Sequence, residues 1–323
     1  SGLLTQVVTL EAILDEFNVS SFHPRAVRDF LRYAWENWSI APQYALLMGA
    51  GHVDFHDGLE FGGNLLPPLM VETAADLVAS DSALGDIDFD GAPEIIVGRM
   101  PILLGAEATA QLAKLSAYEA SLSGPWTDRV LMVADDADHA GNFVADSNAM
   151  IGTFPVGATA TPLYLGSPHD LAAARQAFVS EVNAGTGYVN FLGHGSLTQF
   201  SGEGMVRADE VALLTNGTQL PVVTALTCYI GYFGYPGFQS LGEEMLMSSA
   251  GGASAVWSPS GLSFNDDAVA LGTENFGAFL NGSGGGPLGD ALLSAFDSYL
   301  INGGDPERLK VYNLLGDPAT IIP

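Results

Sequence analysis

Short apolar runs alternate with segments of helical period along almost the whole chain. "YALLMGA" (44–50), "EIIVGRM" (94–100), "RVLMVADD" (129–136), "ATPLYLG" (160–166), "YVNFLGHG" (188–195), "PVVTALTC" (221–228) and "GGASAVWS" (251–258) carry apolar residues at successive positions and predict buried strands. Residues 23–38, 105–120, 170–185, 207–217, 240–251 and 289–300 predict helices between them. Strands apolar on both faces and separated by helices imply mainly parallel sheets covered on both sides, an α/β class. At "SLSGPWTD" (121–128) a Gly-Pro follows a helix, and a new strand–helix series begins. That break predicts an N-terminal α/β subdomain over 1–123 and a C-terminal one over 124–323.

Two of these strands end on chemistry. One runs into Gly193-His194-Gly195; the other stops at Cys228, the only cysteine. Placed as parallel neighbours joined by one crossover, "RADEVALLTNG", both deliver their last residues to the carboxyl edge of a sheet, where sites form in open α/β folds. A thiol beside an imidazole can be deprotonated and attack a carbonyl, and the imidazole can then protonate a leaving amine. The backbone N–H groups of Gly195 and Cys228 are the candidate oxyanion donors. Glycines at 193 and 195 permit the tight exit that leaves such an N–H free. A turn with a polar tip and a small buried apolar cysteine are the structural alternatives for either residue alone; their common placement favours catalysis.

Composition narrows the class. Hydrophobic residues make up 48% and charged residues 15%, which favours a sizeable core over disorder. Ten basic residues stand against 37 acidic ones, a net charge of −27. Nucleic acid and anionic membranes, which require clustered Lys or Arg, are therefore not expected partners. No apolar run is long enough for a membrane helix. "SGLLTQVVTL" lacks the basic start and long apolar stretch of a signal peptide and is read as a processing boundary, any targeting segment having been removed. An acidic surface with lysine only at 114 and 310 suits a secreted protein or a salty habitat, and could draw in basic substrates. One cysteine excludes an internal disulfide and a multi-cysteine metal cage.

Two further clusters carry acidic or imidazole groups. "DIDFDG" sets Asp86, Asp88 and Asp90 at alternate positions before Gly91, as in the first half of a calcium loop. Val97 occupies the position of the closing Glu of an EF-hand, so a looser calcium site completed by Glu94 and Asp81 is expected. His52 and His56, beside Asp54 and Asp57, are expected on a loop as surface histidines lining a cleft between the subdomains.

The order of motifs resembles the gingipain-type cysteine peptidases. The resemblance rests on "FLRYAWENW", "PQYALLMGAG", "GDIDFDGAPEIIVGRMPI", "LAKLSAYE", "VNFLGHGS", "NGTQLPVVTALTCYIGYF", "GGASAVWSPSG" and "YNLLGDPATIIP". It implies a caspase-like fold of two adjacent α/β subdomains and peptide-bond hydrolysis by Cys228 as nucleophile with His194 as acid and base. It also implies an acidic residue assisting the histidine, with Asp136 as first choice and Asp135 and Asp138 as rivals. For cleavage after Arg or Lys it implies an acidic group in the primary pocket, where Asp146 stands nearest, and Trp257 as a lid over a long side chain. The expectation is thus a secreted cysteine endopeptidase, extracellular or on the cell surface. It would have protein or peptide substrates, structural calcium and a removed pro-segment. A catalytically silent, calcium-stabilised binding or surface module is the competing reading, and an acyl-transfer or ligase variant of the same dyad a third.

Overall fold

Strands that are apolar at every position need cover on both faces, and the computed structural model supplies it. It describes residues 2–17, 23–155, 158–166, 169–281 and 285–323. Eight strands form one sheet: β1 Tyr44–Met48, β2 Ile96–Met100, β3 Arg129–Ala134, β4 Thr159–Tyr164, β5 Tyr188–Leu192, β6 Val222–Leu226, β7 Ala255–Pro259 and β8 Tyr312–Leu315. Their spatial order is β1-β2-β8-β7-β6-β5-β3-β4. Every neighbouring pair is parallel except β7 with β8. The sheet therefore consists of two blocks running in opposite directions, β1-β2-β8 and β7-β6-β5-β3-β4. The last strand of the chain, β8, completes the block begun by β1 and β2.

Alternation along each strand sorts the core into two layers. In β3, Leu131 and Val133 join one cluster with Val189, Phe191, Val223 and Ala225; Val130, Met132 and Ala134 join the opposite one with Tyr188, Leu192, Val222 and Leu226. Each buried Val, Leu, Met or Phe among them contributes roughly 1.5–3 kcal/mol of apolar burial. The helices are α1 Leu10–Phe17, α2 Arg25–Asn37, α3 Gly105–Ala120, α4 Phe143–Ile151, α5 Leu171–Asn183, α6 Leu241–Met247, α7 Asn265–Asn281, α8 Leu288–Ile301 and α9 Pro306–Val311. Residues of α5 and α6 cover the first layer, and residues of α4, α7 and α8 the second. None of the described helices is long and apolar enough to cross a membrane.

Some elements differ from the periodicity reading. The expected helix over 207–217 is a short 3-10 helix at Ala208–Leu213, preceded by a three-stranded ribbon at 195–196, 199–200 and 206–207. Trp257 does not form a lid. It is 1% exposed in the middle of β7 and stacks on Tyr312 at 4.4 Å between ring centroids, because its strand position points into the α7–α8 layer. Asp81 is likewise removed from any calcium site. It forms a fully buried pair with Arg99, whose guanidinium also donates to the Gly49 and Leu66 carbonyls. Asn313 ties this pair to the end of β7, accepting from the Asp81 N–H and donating to Ser260 Oγ.

Candidate active site

β3, β5, β6 and β7 run in one direction, so the segments after Ala134, Leu192, Leu226 and Pro259 gather at one edge of the sheet. After β5 the chain turns at Gly193, φ +154, where a Cβ would lie 2.3 Å from that of Asp135. The close approach lets the buried Asp135 carboxylate accept the His194 N–H at 3.1 Å, while its other oxygen accepts the Asp136 N–H at 3.0 Å. Burial pushes the Asp135 carboxyl up to about 6 despite these bonds. The His194 ring packs edge-on against Phe143 of α4 at 5.4 Å, and its Nε2 lies 2.9 Å from Asp138 Oδ2. The same oxygen lies 3.3 Å from His139 Nδ1. The carboxylate on the imidazole is thus Asp138. Asp136, the expected partner, is an exposed group beside Asp135 and Glu203, the three presenting oxygens within 4.8 Å of one another.

Cys228 lies two residues beyond β6, the strand adjoining β5 in parallel register. Its thiol is half-buried and sits on Ser263: Sγ accepts the Ser263 N–H at 3.4 Å and donates to the Ser263 carbonyl at 3.5 Å. Burial raises the thiol pKa, and the Ser263 N–H opposes this in part. No hydrogen bond joins thiol and imidazole in this arrangement. Tyr229 follows in a left-handed conformation, φ 61, its N–H bonded to the Gly261 carbonyl. Gly195 is held against the end of β6: a Cβ there would meet Thr227 Oγ1 at 2.4 Å and the Cys228 carbonyl oxygen at 3.1 Å. The Ser201 N–H bonds the His194 carbonyl at 2.8 Å. Gly195 and Phe200 are then an antiparallel pair whose own N–H groups point away from the ladder. Among the described residues the Cys228 N–H has no hydrogen-bond acceptor.

The profile of peptidase family C25 matches residues 1–323. The chain belongs to peptidase family C25. This makes it a cysteine peptidase by family. Among solved structures, the complex of Porphyromonas gingivalis RgpB pro- and mature domains is similar at 20% identity and TM-score 0.80, covering 99% of this chain and 74% of that one. The Arg-specific cysteine proteinase gingipain R (RgpB) is similar at 19% identity and TM-score 0.77, covering 95% and 70%. A structure described only as a protease has 17% identity and TM-score 0.72, covering 92% and 69%. At these identities the likeness establishes a gingipain fold. No curated protein matches the chain.

In this C25 chain the other expected residues fall at different places. Asp146, in the first turn of α4, accepts from Asn265 Nδ2 at 2.8 Å. Asn265 opens α7, two residues after Ser263, so Asp146 is linked to the segment that holds the thiol. Asp86, Asp88 and Glu94 bring carboxylate oxygens within 4.8 Å of one another. Asp86 Oδ1 is buried with no hydrogen-bond partner, and burial raises the Asp86 carboxyl. Such an orphaned oxygen in a set of hard oxygen donors fits a calcium ion. Asp90 is outside the group, its carboxylate accepting the Ala92 N–H in a tight turn. His52 is not at the surface: it is buried, its ring bonded to the Gly62 carbonyl and Asn64, while His56 is exposed. Ser263, His139, Phe143 and Asn265 were not expected. His139 and Phe143 lie in the acidic stretch after β3, between the candidates Asp138 and Asp146.

Proposed function

We propose that the chain is an endopeptidase in which Cys228 is the nucleophile and His194 the acid and base. The observation carrying this reading is the pair's delivery to one sheet edge, with Gly195 packed against the Cys228 carbonyl. With Nε2–H donating to Asp138, Nδ1 of His194 carries the lone pair and exchanges protons. A thiol whose pKa is raised by burial rests protonated. The imidazole takes its proton when a peptide carbonyl approaches, Sγ bonds to the carbonyl carbon, and the oxygen turns toward the Gly195 and Cys228 N–H groups. His194 then protonates the departing amine, and water hydrolyses the thioester.

The finer assignments belong to the same reading. Asp146 is proposed as the acidic group of a primary pocket taking Arg or Lys, supported by its place on the helix that borders the His194 ring. Asp86, Asp88 and Glu94 are proposed to hold calcium in a structural role. The acidic, lysine-poor composition supports a place outside the cell. The RgpB structure with a pro-domain supports a pro-segment for this chain too. Fluorogenic peptides varied at the residue before the cleaved bond test the reading. Cleavage by the intact protein and not by Cys228→Ala is expected, with Arg or Lys preferred and that preference reduced in Asp146→Asn. Equal cleavage by Cys228→Ala would remove the nucleophile assignment, and a preference unchanged in Asp146→Asn would remove the pocket assignment.

A further inference from the structure

Beyond the thiol the chain carries an aromatic residue at every third position: Tyr229, Tyr232, Tyr235 and Phe238. Their rings form a continuous ladder with centroid separations of 6.3, 6.1 and 5.6 Å. The ladder starts at the residue after Cys228 and becomes steadily more exposed, Tyr235 to 45% and Phe238 to 60%. Phe61, 53% exposed, joins its outer end from loop 51–64: a Cβ on Gly237 would lie 2.4 Å from that ring. The loop is fixed there by the Val53 N–H on the Gly234 carbonyl at 3.0 Å. The core does not require these outer rings, because Ile230, Phe233 and Leu241 fill it beneath them. A contiguous exposed apolar surface of this kind marks a binding site.

Its electrostatics select the occupant. The Tyr229 hydroxyl donates to Asp76, and loop 51–64 adds Asp54, Asp57 and Glu60. The Leu59 and Gly58 N–H groups hold the Asp54 carboxyl below the usual range, so it stays ionised. Elsewhere in the molecule exposed rings already carry cations. Arg28 and Arg32 lie over Phe89 at 4.7 and 5.6 Å, and Arg308 lies over Phe264 at 5.4 Å. Among the described residues no Arg or Lys of the chain stands over Tyr232, Tyr235, Phe238 or Phe61. With a net charge of −27, cations for these rings come from outside.

We propose that the ladder is an exosite for a basic stretch of the polypeptide substrate. Arg or Lys side chains lie over the Tyr232, Tyr235, Phe238 and Phe61 rings, away from the pocket that takes the residue before the cleaved bond. This rests on the peptidase reading and extends it. Three ring steps cover roughly five residues of an extended chain. Anchoring such a stretch raises the local concentration of the scissile bond at Cys228.

The test uses fluorogenic peptides sharing one cleaved bond, with a five-residue tail of D-Arg or of D-Gln on either side, whose own bonds resist cleavage. The quantity read is the ratio of KM for the Gln tail to KM for the Arg tail, within each protein. The intact protein is expected to give a ratio of roughly 5–30 on one side, given the strength of cation–ring contacts. Tyr235→Leu with Phe238→Leu keeps apolar bulk, removes two ring faces, and is expected to bring the ratio near 1. A ratio near 1 on both sides in the intact protein overturns the proposal, as does a ratio the double variant retains. Fluorescence anisotropy of a labelled Arg-tailed peptide on Cys228→Ala separates the two readings. Tail binding lost with the two rings, in a protein that cleaves nothing, keeps the exosite and removes the peptidase. Cleavage with no tail effect and no ring-dependent binding keeps the peptidase and removes the exosite.

Discussion

His194 is held from two sides, its backbone N–H by Asp135 and its ring by Asp138. Only the second contact sets which ring nitrogen is free to exchange protons. Asp138→Asn should therefore lower kcat on the order of tenfold with little change in KM, because an oriented acid–base group is weakened and the thiol is untouched. Asp136→Asn should stay within about twofold of the parent, as a solvated carboxylate would. Steady-state kinetics on one peptide decide this, and the reverse ranking of the two variants would reassign the partner. The placement of Cys228 and His194 at one sheet edge was legible because a buried strand announces its own end and parallel strands share an edge. The choice among Asp135, Asp136 and Asp138 was not legible. Three carboxylates within four positions of an irregular loop carry no periodicity, and only the folded loop shows that Asp135 takes the backbone N–H and Asp138 the ring. Trp257 misled for the opposite reason: a buried strand position outweighs the resemblance that suggested a lid.

At the scale of elements, the loop between Asp86 and Glu94 carries its own prediction. Three carboxylates converge there and one oxygen is orphaned, so millimolar calcium should raise the thermal midpoint by several degrees through binding to the folded state alone. Asp86→Ala should abolish that rise and leave the midpoint in chelator nearly unchanged. A calcium-induced rise that persists in Asp86→Ala, seen by scanning calorimetry, would place the ion elsewhere. The alternating "DIDFDG" was readable as a calcium half-loop, but it could not tell that Asp90 caps a turn or that Arg99 claims Asp81. Helix α7 escaped the periodicity reading altogether. Gly272 and Gly277 interrupt it, and its apolar residues Ala268, Leu271, Phe276 and Phe279 are spread across about three turns among small neighbours. Its acidic first turn, Asp266 and Asp267, was the available signal.

Across the whole molecule, alternation of buried strands and helices made the α/β class legible, whereas the reversal of direction between β7 and β8 was not, since strand order leaves no trace in local composition. Two buried carboxyls give the fold a pH signature. Glu243 is pushed up to about 7 and Asp135 to about 6, both mainly by burial. Each binds its proton more tightly in the folded chain than in the unfolded one, where values near 4 apply. Their stabilisation is complete near pH 4 and is lost as pH rises through 6 and 7. The thermal midpoint should fall by a few degrees between pH 5 and pH 7, and Glu243→Gln should flatten that slope; a midpoint rising over this interval would contradict the burial argument. The central claim, that Cys228 and His194 act as one unit, is tested most directly by covalent labelling. A peptide bearing an electrophilic ketone at the scissile position should form a single adduct, mapped by mass spectrometry to Cys228 and formed on the order of a hundredfold more slowly in His194→Ala. An adduct that forms equally fast without the imidazole, or none at Cys228, would contradict the account.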